Sequence, residues 1–329
     1  MSMKSNSLRY SLSTLIALCA IAFFVSTTMA QAAELQISSV NVEPIGDFVL
    51  EPGKVDVYLE PGETVTRTIF ITNRNPRKVS FKIETEDIAG NRDPINPVTL
   101  LGSKTGPYPF KDVLQVPADR FELDFGQKVA IPIQIRIPTN ASPGGHYAAV
   151  IISNEPDKSQ KNIGGARVIS RLGALFFVRV KGDVKEEGQL KEVRLAGPSR
   201  WFHEKGPFTF EMLFENTGTV HLVPYGQLEI TNLFGETVGT VPVDAYFSLP
   251  GSLRYREVEW LSGFLLGRYT ATAQVYRGYK NSSDISDTQS ISFWVIPRML
   301  LLQIFVGILL VALVVRYVLK NFEFRKREA

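Results

Sequence analysis

The chain predicts an all-β protein: two tandem Ig-like β-sandwich domains, plus an N-terminal signal peptide and one C-terminal transmembrane helix. Three observations lead there. Apolar and polar residues alternate over many short runs between residues 55 and 295, with turn residues about every eight to twelve positions. No amphipathic helical period competes between the two apolar ends. Residues 299–315 carry no charge and one polar side chain, Gln303. Continued to Leu319, with Arg316 snorkelling, that stretch reaches the roughly 20 residues a helix needs to cross hydrocarbon.

Residues 1–32 read as the signal peptide. Lys4 and Arg9 form a basic region, residues 15–25 an apolar run too short to span, and Ala30-Gln31-Ala32 a small-residue cleavage site. Cleavage after Ala30, Ala32 or Ala33 fits. Cys19 is the only cysteine, and Leu18 stands before it where a lipoprotein signal wants a small residue. The exported part therefore has no disulfide, no thiolate nucleophile and no Cys-ligated metal. A cysteine-free exported chain of this size suits a bacterium.

Residues 33–53 read as an extended lead-in, and residues 54–183 as the first sandwich. Val55, Val57 and Leu59 alternate with polar neighbours. Pro61-Gly62 turns, and Val65, Ile69 and Ile71 share one face of the next strand. After the break at residues 73–77, Val79, Phe81 and Ile83 complete what reads as a hairpin. Residues 87–120 read mostly as loop, long enough to be a functional excursion. Val129, Ile131, Ile133, Ile135 and Ile137 give the cleanest alternation, with Pro132 marking an edge on one side that could accept another chain by strand addition. Residues 147–153 are nearly all apolar, as in a strand covered on both faces. A polar loop and a long strand to Lys181, with a bulge expected at Gly173, end the unit.

The charged joint around residues 182–188 divides the chain, and residues 184–297 read as the second sandwich. Phe208, Phe210, Met212 and Phe214 alternate with polar residues, as do Tyr269, Ala271, Ala273 and Val275. Strands ending at Asn73 and Asn216 share a local phrase, a weak internal repetition. Residues 298–319 are the expected membrane helix and residues 320–329 its basic tail. Trp294 and Tyr317 stand where interfacial aromatics stand, and the cationic excess after the helix places that side in the cytoplasm. The formal net charge of +3 comes from the two ends, and the weakly acidic part between them offers no footprint for nucleic acid.

No catalytic constellation emerges. His146, His203 and His221 lack a partner at i+4, and no nucleophile elbow, P-loop or dinucleotide fingerprint is present. Residues 102–106 (Gly-Ser-Lys-Thr-Gly) lack the rest of a phosphate-binding motif. Glu84, Glu86, Asp87, Asn91 and Asp93 could offer hard oxygen ligands to calcium, or simply be a solvated strand end. No catalytic residue, cofactor or metal is expected. The candidate partner contacts are aromatic: Trp201, Phe202 and His203 after a Gly-Pro turn, and Tyr108 and Phe110 in the long loop. Each could equally tuck under its own sandwich.

Residues 59–73 (Leu-Glu-Pro-Gly-Glu-Thr-Val-Thr-Arg-Thr-Ile-Phe-Ile-Thr-Asn), the Ile-rich strand and residues 143–147 (Pro-Gly-Gly-His-Tyr) resemble the first domain of WxL-interacting surface proteins of bacteria. The layout of signal, two β domains, one span and a basic tail resembles theirs as well. The resemblance implies a first domain that contacts peptidoglycan and a second that contacts partner proteins, and it carries over no site residue. The resulting expectation is a non-enzymatic, membrane-anchored cell-surface protein. Its partners would be the lipid bilayer, through the C-terminal helix, and cell-wall polymer or other surface proteins. The alternative is a membrane-tethered structural or assembly chaperone for exported proteins, and the third reading is an exported hydrolase.

Overall fold

A computed structural model describes residues 35–155, 169–197, 202–280 and 282–321. The expected signal peptide with Cys19, most of the polar loop after Asn154, Trp201 and the end of the basic tail lie outside the described residues.

The first unit begins with four strands, β1 (Gln36–Ser39), β2 (Phe48–Glu51), β3 (Lys54–Leu59) and β4 (Thr64–Asn73). The long β5 (Val79–Gly90) follows, then the short β6 (Val98–Leu100), β7 (Leu114–Gln115) and β8 (Arg120–Leu123). The unit ends with β9 (Gln127–Arg136), β10 (Gly144–Asn154) and β11 (Arg171–Val180). One sheet runs β1-β9-β4-β2, with β7 also on β9; the other runs β3-β11-β10-β5-β6, with β8 also on β5. The alternating residues supply the core. Ile69 and Ile71 on β4 and Val129, Ile131, Ile133 and Ile135 on β9 face Phe81, Val150, Ile152, Phe176 and Val178 of the other sheet. Burying each such side chain stabilises the fold by about 1.5–3 kcal/mol. β10 is buried on both faces, as its unbroken apolar run requires.

Four expectations need correction. Residues 79–83 do not form a hairpin with β4, because β4 pairs with β9 and β2 while β5 pairs with β10, β6 and β8. The turn between them crosses from sheet to sheet, and alternation cannot reveal this, since both strands face one core. The lead-in belongs to the sandwich: β1 pairs with β9 and β2 with β4. Residues 87–120 fold rather than loop, with β5 running on to Gly90 and β6, β7, a 3-10 turn (Lys111–Val113) and β8 following. Gly173 lies in continuous register with Ile151, without a bulge; a Cβ there would come within 2.9 Å of Ile151 Cδ1, so close packing explains the glycine. Pro132 falls where β9 has no partner on one side, between the stretches covered by β1 and β7.

The second unit comprises β12 (Gly188–Leu195), β13 (Phe202–His203), β14 (Phe208–Asn216), β15 (Tyr225–Asn232), β16 (Thr237–Val243), β17 (Leu253–Trp260), β18 (Gly267–Tyr276) and β19 (Ser286–Val295). Its sheets are β12-β14-β17 and β13-β19-β18-β15-β16. Phe208, Phe210, Met212, Phe214, Ala271, Ala273, Val275 and Phe293 fill the core between them. Helix α1 (Arg298–Asn321) follows β19 after Ile296 and Pro297. It is long and apolar enough to cross a membrane, and it is not buried against the rest of the chain.

Candidate functional site

The long excursion of the first unit is organised by one carboxylate. Asp87 is fully buried on β5 and accepts hydrogen bonds from the backbone N–H groups of Gly106 (3.1 Å), Phe110 (2.8 Å) and Lys111 (2.8 Å). Its oxygens are thereby used to shape chain rather than to hold an ion. Glu86 accepts from Gly102 N–H and pairs with Arg171 at 2.5 Å, while Glu84 pairs with Lys82. The acidic cluster that could have served calcium is thus spent on separate partners. No group of three metal-ligating side chains occurs among the described residues.

The excursion and the outer faces of β10 and β11 meet the second unit in a third apolar cluster. Ile88, Tyr147, Ala149, Ile151 and Phe177 are sealed by Leu249, with Phe247 packed against them. Phe177 and Phe247 meet edge to face at 4.9 Å. His221 N–H donates to the buried Tyr147 Oη at 2.6 Å. Burial holds the Tyr147 phenol well above its usual pKa, and the hydrogen bond from His221 N–H offsets only part of that rise. Backbone bonds also cross the junction, from Leu253 N–H to Asn91 O (3.0 Å) and from Tyr255 N–H to Pro94 O (3.2 Å). Gly90 permits this approach, because a Cβ there would lie 2.4 Å from Pro250 O. Behind the cluster, Arg179 of β11 pairs with Glu186 of the joint, both side chains almost fully buried. Glu186 accepts further bonds from Lys280 N–H and Ser282 N–H. Arg92 of the first unit reaches Glu215 of β14 at 3.0 Å, and His221 lies 3.4 Å from Asp56 of β3.

Beside this junction lies an open cleft of about 670 Å³, lined by Tyr108, the turn from Ser142 to His146, the joint at Asp183–Lys185, and Thr219. The geometry sorts the aromatic candidates. Tyr108 is on the cleft, its ring 5.8 Å from Tyr147. Phe110 is not available to a partner: it is 3% exposed and belongs to the first core, because Asp87 pulls its backbone inward. Phe202 and His203 form β13 at the opposite end of the second unit, parallel to β19. His203 is half-buried against Phe208 and Phe293, and that burial lowers its pKa. The four described candidates, Tyr108, Phe110, Phe202 and His203, therefore do not make one site.

A second feature is an incomplete sheet edge. β2 covers one end of β4, the chain then crosses over, and β3 covers the other end of the facing sheet by pairing with β11 from Leu175 to Val180. Among the described residues, β11 from Arg171 to Ala174 has no strand on that side. Leu172 and the preceding Ile169 are exposed beside it. β4 is likewise uncovered from Thr64 to Thr68, but Thr66, Arg67 and Thr68 make that edge polar. Sequence reasoning missed the β11 edge, since only the register of β3 exposes it.

The chain matches no protein-family model, and no curated protein is similar to it in sequence. Among solved structures it is similar to the class 5 fimbriae chaperone CfaA, at 12% identity and a TM-score of 0.37, over 74% of this chain and 99% of that one. It is also similar to the YadV chaperone, at 10% identity and a TM-score of 0.36, over 74% and 100%. The Escherichia coli chaperone DraB shows 15% identity and a TM-score of 0.34, over 76% and 97%. The resemblance to WxL-interacting surface proteins is corrected by these results: no family model supports it, and the solved structures named above are bacterial chaperones. The peptidoglycan contact that it implied is withdrawn with it. At these identities and TM-scores the likeness carries nothing about activity or partner.

Proposed function

We propose that this chain is a non-enzymatic, membrane-tethered assembly chaperone built from two Ig-like domains, which holds an extended segment of another exported polypeptide. The observation that supports this most is the open stretch of β11. Among the described residues, the backbone groups of Arg171 and Gly173 on that side have no strand to pair with, beside Leu172 and on a strand otherwise fixed by β10. An added strand would satisfy those groups and cover Leu172, with affinity from main-chain bonds and selectivity from alternate side chains. The fimbrial chaperones are proteins of this general kind, and the reading does not depend on them. In this reading residues 1–32 direct export, both domains lie outside the cytoplasmic membrane, and α1 holds them there with its basic tail inside.

The test is genetic and chemical. Deleting the gene should lower the level of at least one exported protein, with recovery by the wild-type chain and by Arg171→Ala but not by Arg171→Pro, which removes a backbone donor on the open side, the side on which Leu175 N–H meets Gly53 O. A photo-crosslinker at position 172 should trap that same protein. Unchanged exported proteins after deletion, together with no crosslink above a control at Thr270, would refute the proposal.

A further inference from the structure

The strands of the second unit run from the junction to the end that meets α1. At that far end, Tyr269 of β18 stands opposite Asn232 of β15, and Gly267 opposite Val295 of β19. Three connections therefore come together there: the β15–β16 turn, the β17–β18 loop and the link into α1. The first two carry large apolar side chains on their outer surface. Phe234 is 85% exposed, Leu261 77% and Phe264 74%, with Leu233 and Leu266 beside them in sequence and also exposed. A polar turn would serve the fold as well, because none of these five belongs to the second unit's core.

The link to α1 fixes where this end stands. Only Ile296 and Pro297 separate β19 from the helix, a reach of about 10 Å for a fully extended chain. Ile296 N–H donates to His203 O at 2.7 Å, and Arg298 pairs with Glu204 at 2.9 Å, so the link is tied down on the β13 side. Trp294 points outward one residue before β19 ends, at 40% exposure. A spanning α1 thus leaves the exposed loops no room to stand away from the bilayer.

We propose that this end of the second unit docks onto the lipid bilayer itself, with Leu233, Phe234, Leu261, Phe264 and Leu266 entering the headgroup and upper acyl region beside α1. Apolar side chains at that depth leave water without needing a protein partner. Trp294 sits at the polar boundary, as amphipathic aromatics do. Lys205, Arg268 and Arg298 lie at the same end and can meet lipid phosphates. The domain is then a fixed post rather than a bead on a string: β18 and β19, at ten residues each, lift the junction about 30 Å from the surface.

This inference rests on the membrane-tether reading, and the experiment separates the two. The full-length chain with Cys19→Ala would carry one added cysteine in turn, from Phe234→Cys, Phe264→Cys or Ile45→Cys. Ile45 is an exposed control at the far end of the first unit, where Gly46 bonds to Arg74. Each variant is labelled with an environment-sensitive fluorophore and reconstituted into phosphatidylcholine–phosphatidylglycerol vesicles. Lipids brominated or spin-labelled near the headgroup should quench the probes at 234 and 264 severalfold more than the probe at 45, with iodide from water doing the reverse. Equal quenching at all three sites in chains that resist alkaline extraction would overturn docking and leave the tether standing. Shielding from iodide without quenching by lipid would overturn it too, pointing to a second copy on this face. Release by alkali would remove the tether and the docking together.

Discussion

Asn73 and Asn216 make the same corner in the two units. Each is fully buried at the end of a strand. Asn73 Nδ2 donates to Arg77 O and Leu123 O, and its Oδ1 accepts from Asn75 N–H. Asn216 Nδ2 donates to Val220 O and Ser248 O, and its Oδ1 accepts from Gly218 N–H. The side chain closes its own turn and pins it to a distant segment, which is why no shorter or apolar residue substitutes. Asn73→Ala and Asn216→Ala are each expected to lower stability by about 1–3 kcal/mol, mostly through carbonyls left without a donor. Thermal unfolding in detergent would show this as a lower midpoint, while Asn75→Ala, whose loss removes a less buried contact, should move it far less. The repeated phrase that ends in these asparagines was legible in the sequence, but its meaning was not. The long-range acceptors, Leu123 O and Ser248 O, are backbone atoms that any residue could have provided.

Among the elements, β11 carries most of what the molecule adds to a plain sandwich. Its even-numbered residues Ala174, Phe176 and Val178 fill the first core, while Phe177 and Arg179 face the second unit. The apolar run and the alternation on β9 were readable as strands because burial on one or two faces leaves a period in the sequence. Which strands pair leaves no such period, and so β4 and β5 read as a hairpin although they lie in different sheets. Nor was Phe110 legible as core, since the anchor that draws it inward is a carboxylate in another strand. The Arg179–Glu186 pair makes a test at this scale. Two of the three guanidinium nitrogens of Arg179, Nε and Nη1, have no hydrogen-bond partner among the described residues, so Glu186 is its main compensation. Glu186→Ala should therefore cost about 3–5 kcal/mol, as expected for an uncompensated buried charge. Arg179→Met should cost less, because Glu186 keeps its bonds from Lys280 and Ser282. Equal losses in denaturant unfolding would show that the pair is not what holds the joint.

For the whole molecule, the junction couples the proposed client edge on the first unit to the proposed membrane end of the second, and its ionic contacts make that coupling depend on pH. Burial raises the pKa of Asp56, but the hydrogen bond and charge of His221, with Lys280 and Lys54, outweigh it and hold the carboxyl below its ordinary value. The hydrogen bond from Lys191 leads a similar downward shift at Glu215, against burial and with help from Arg92. For a depressed carboxylate the sign is fixed. Its stabilising contribution is complete above the unfolded value, near pH 4, and is lost as pH falls through the lower folded value. Unfolding midpoints should thus be flat from pH 7 to about 5 and decline below about 4. Asp56→Asn and Glu215→Gln should lower the plateau and flatten the decline. Protease cleavage within residues 182–187 should rise in the same acid range for the wild-type chain, since Arg92–Glu215 and His221–Asp56 both bridge the two units. If acid lowers the midpoint without opening the joint to protease, the carboxylates stabilise each unit separately, and the two-unit post does not respond to pH as one body.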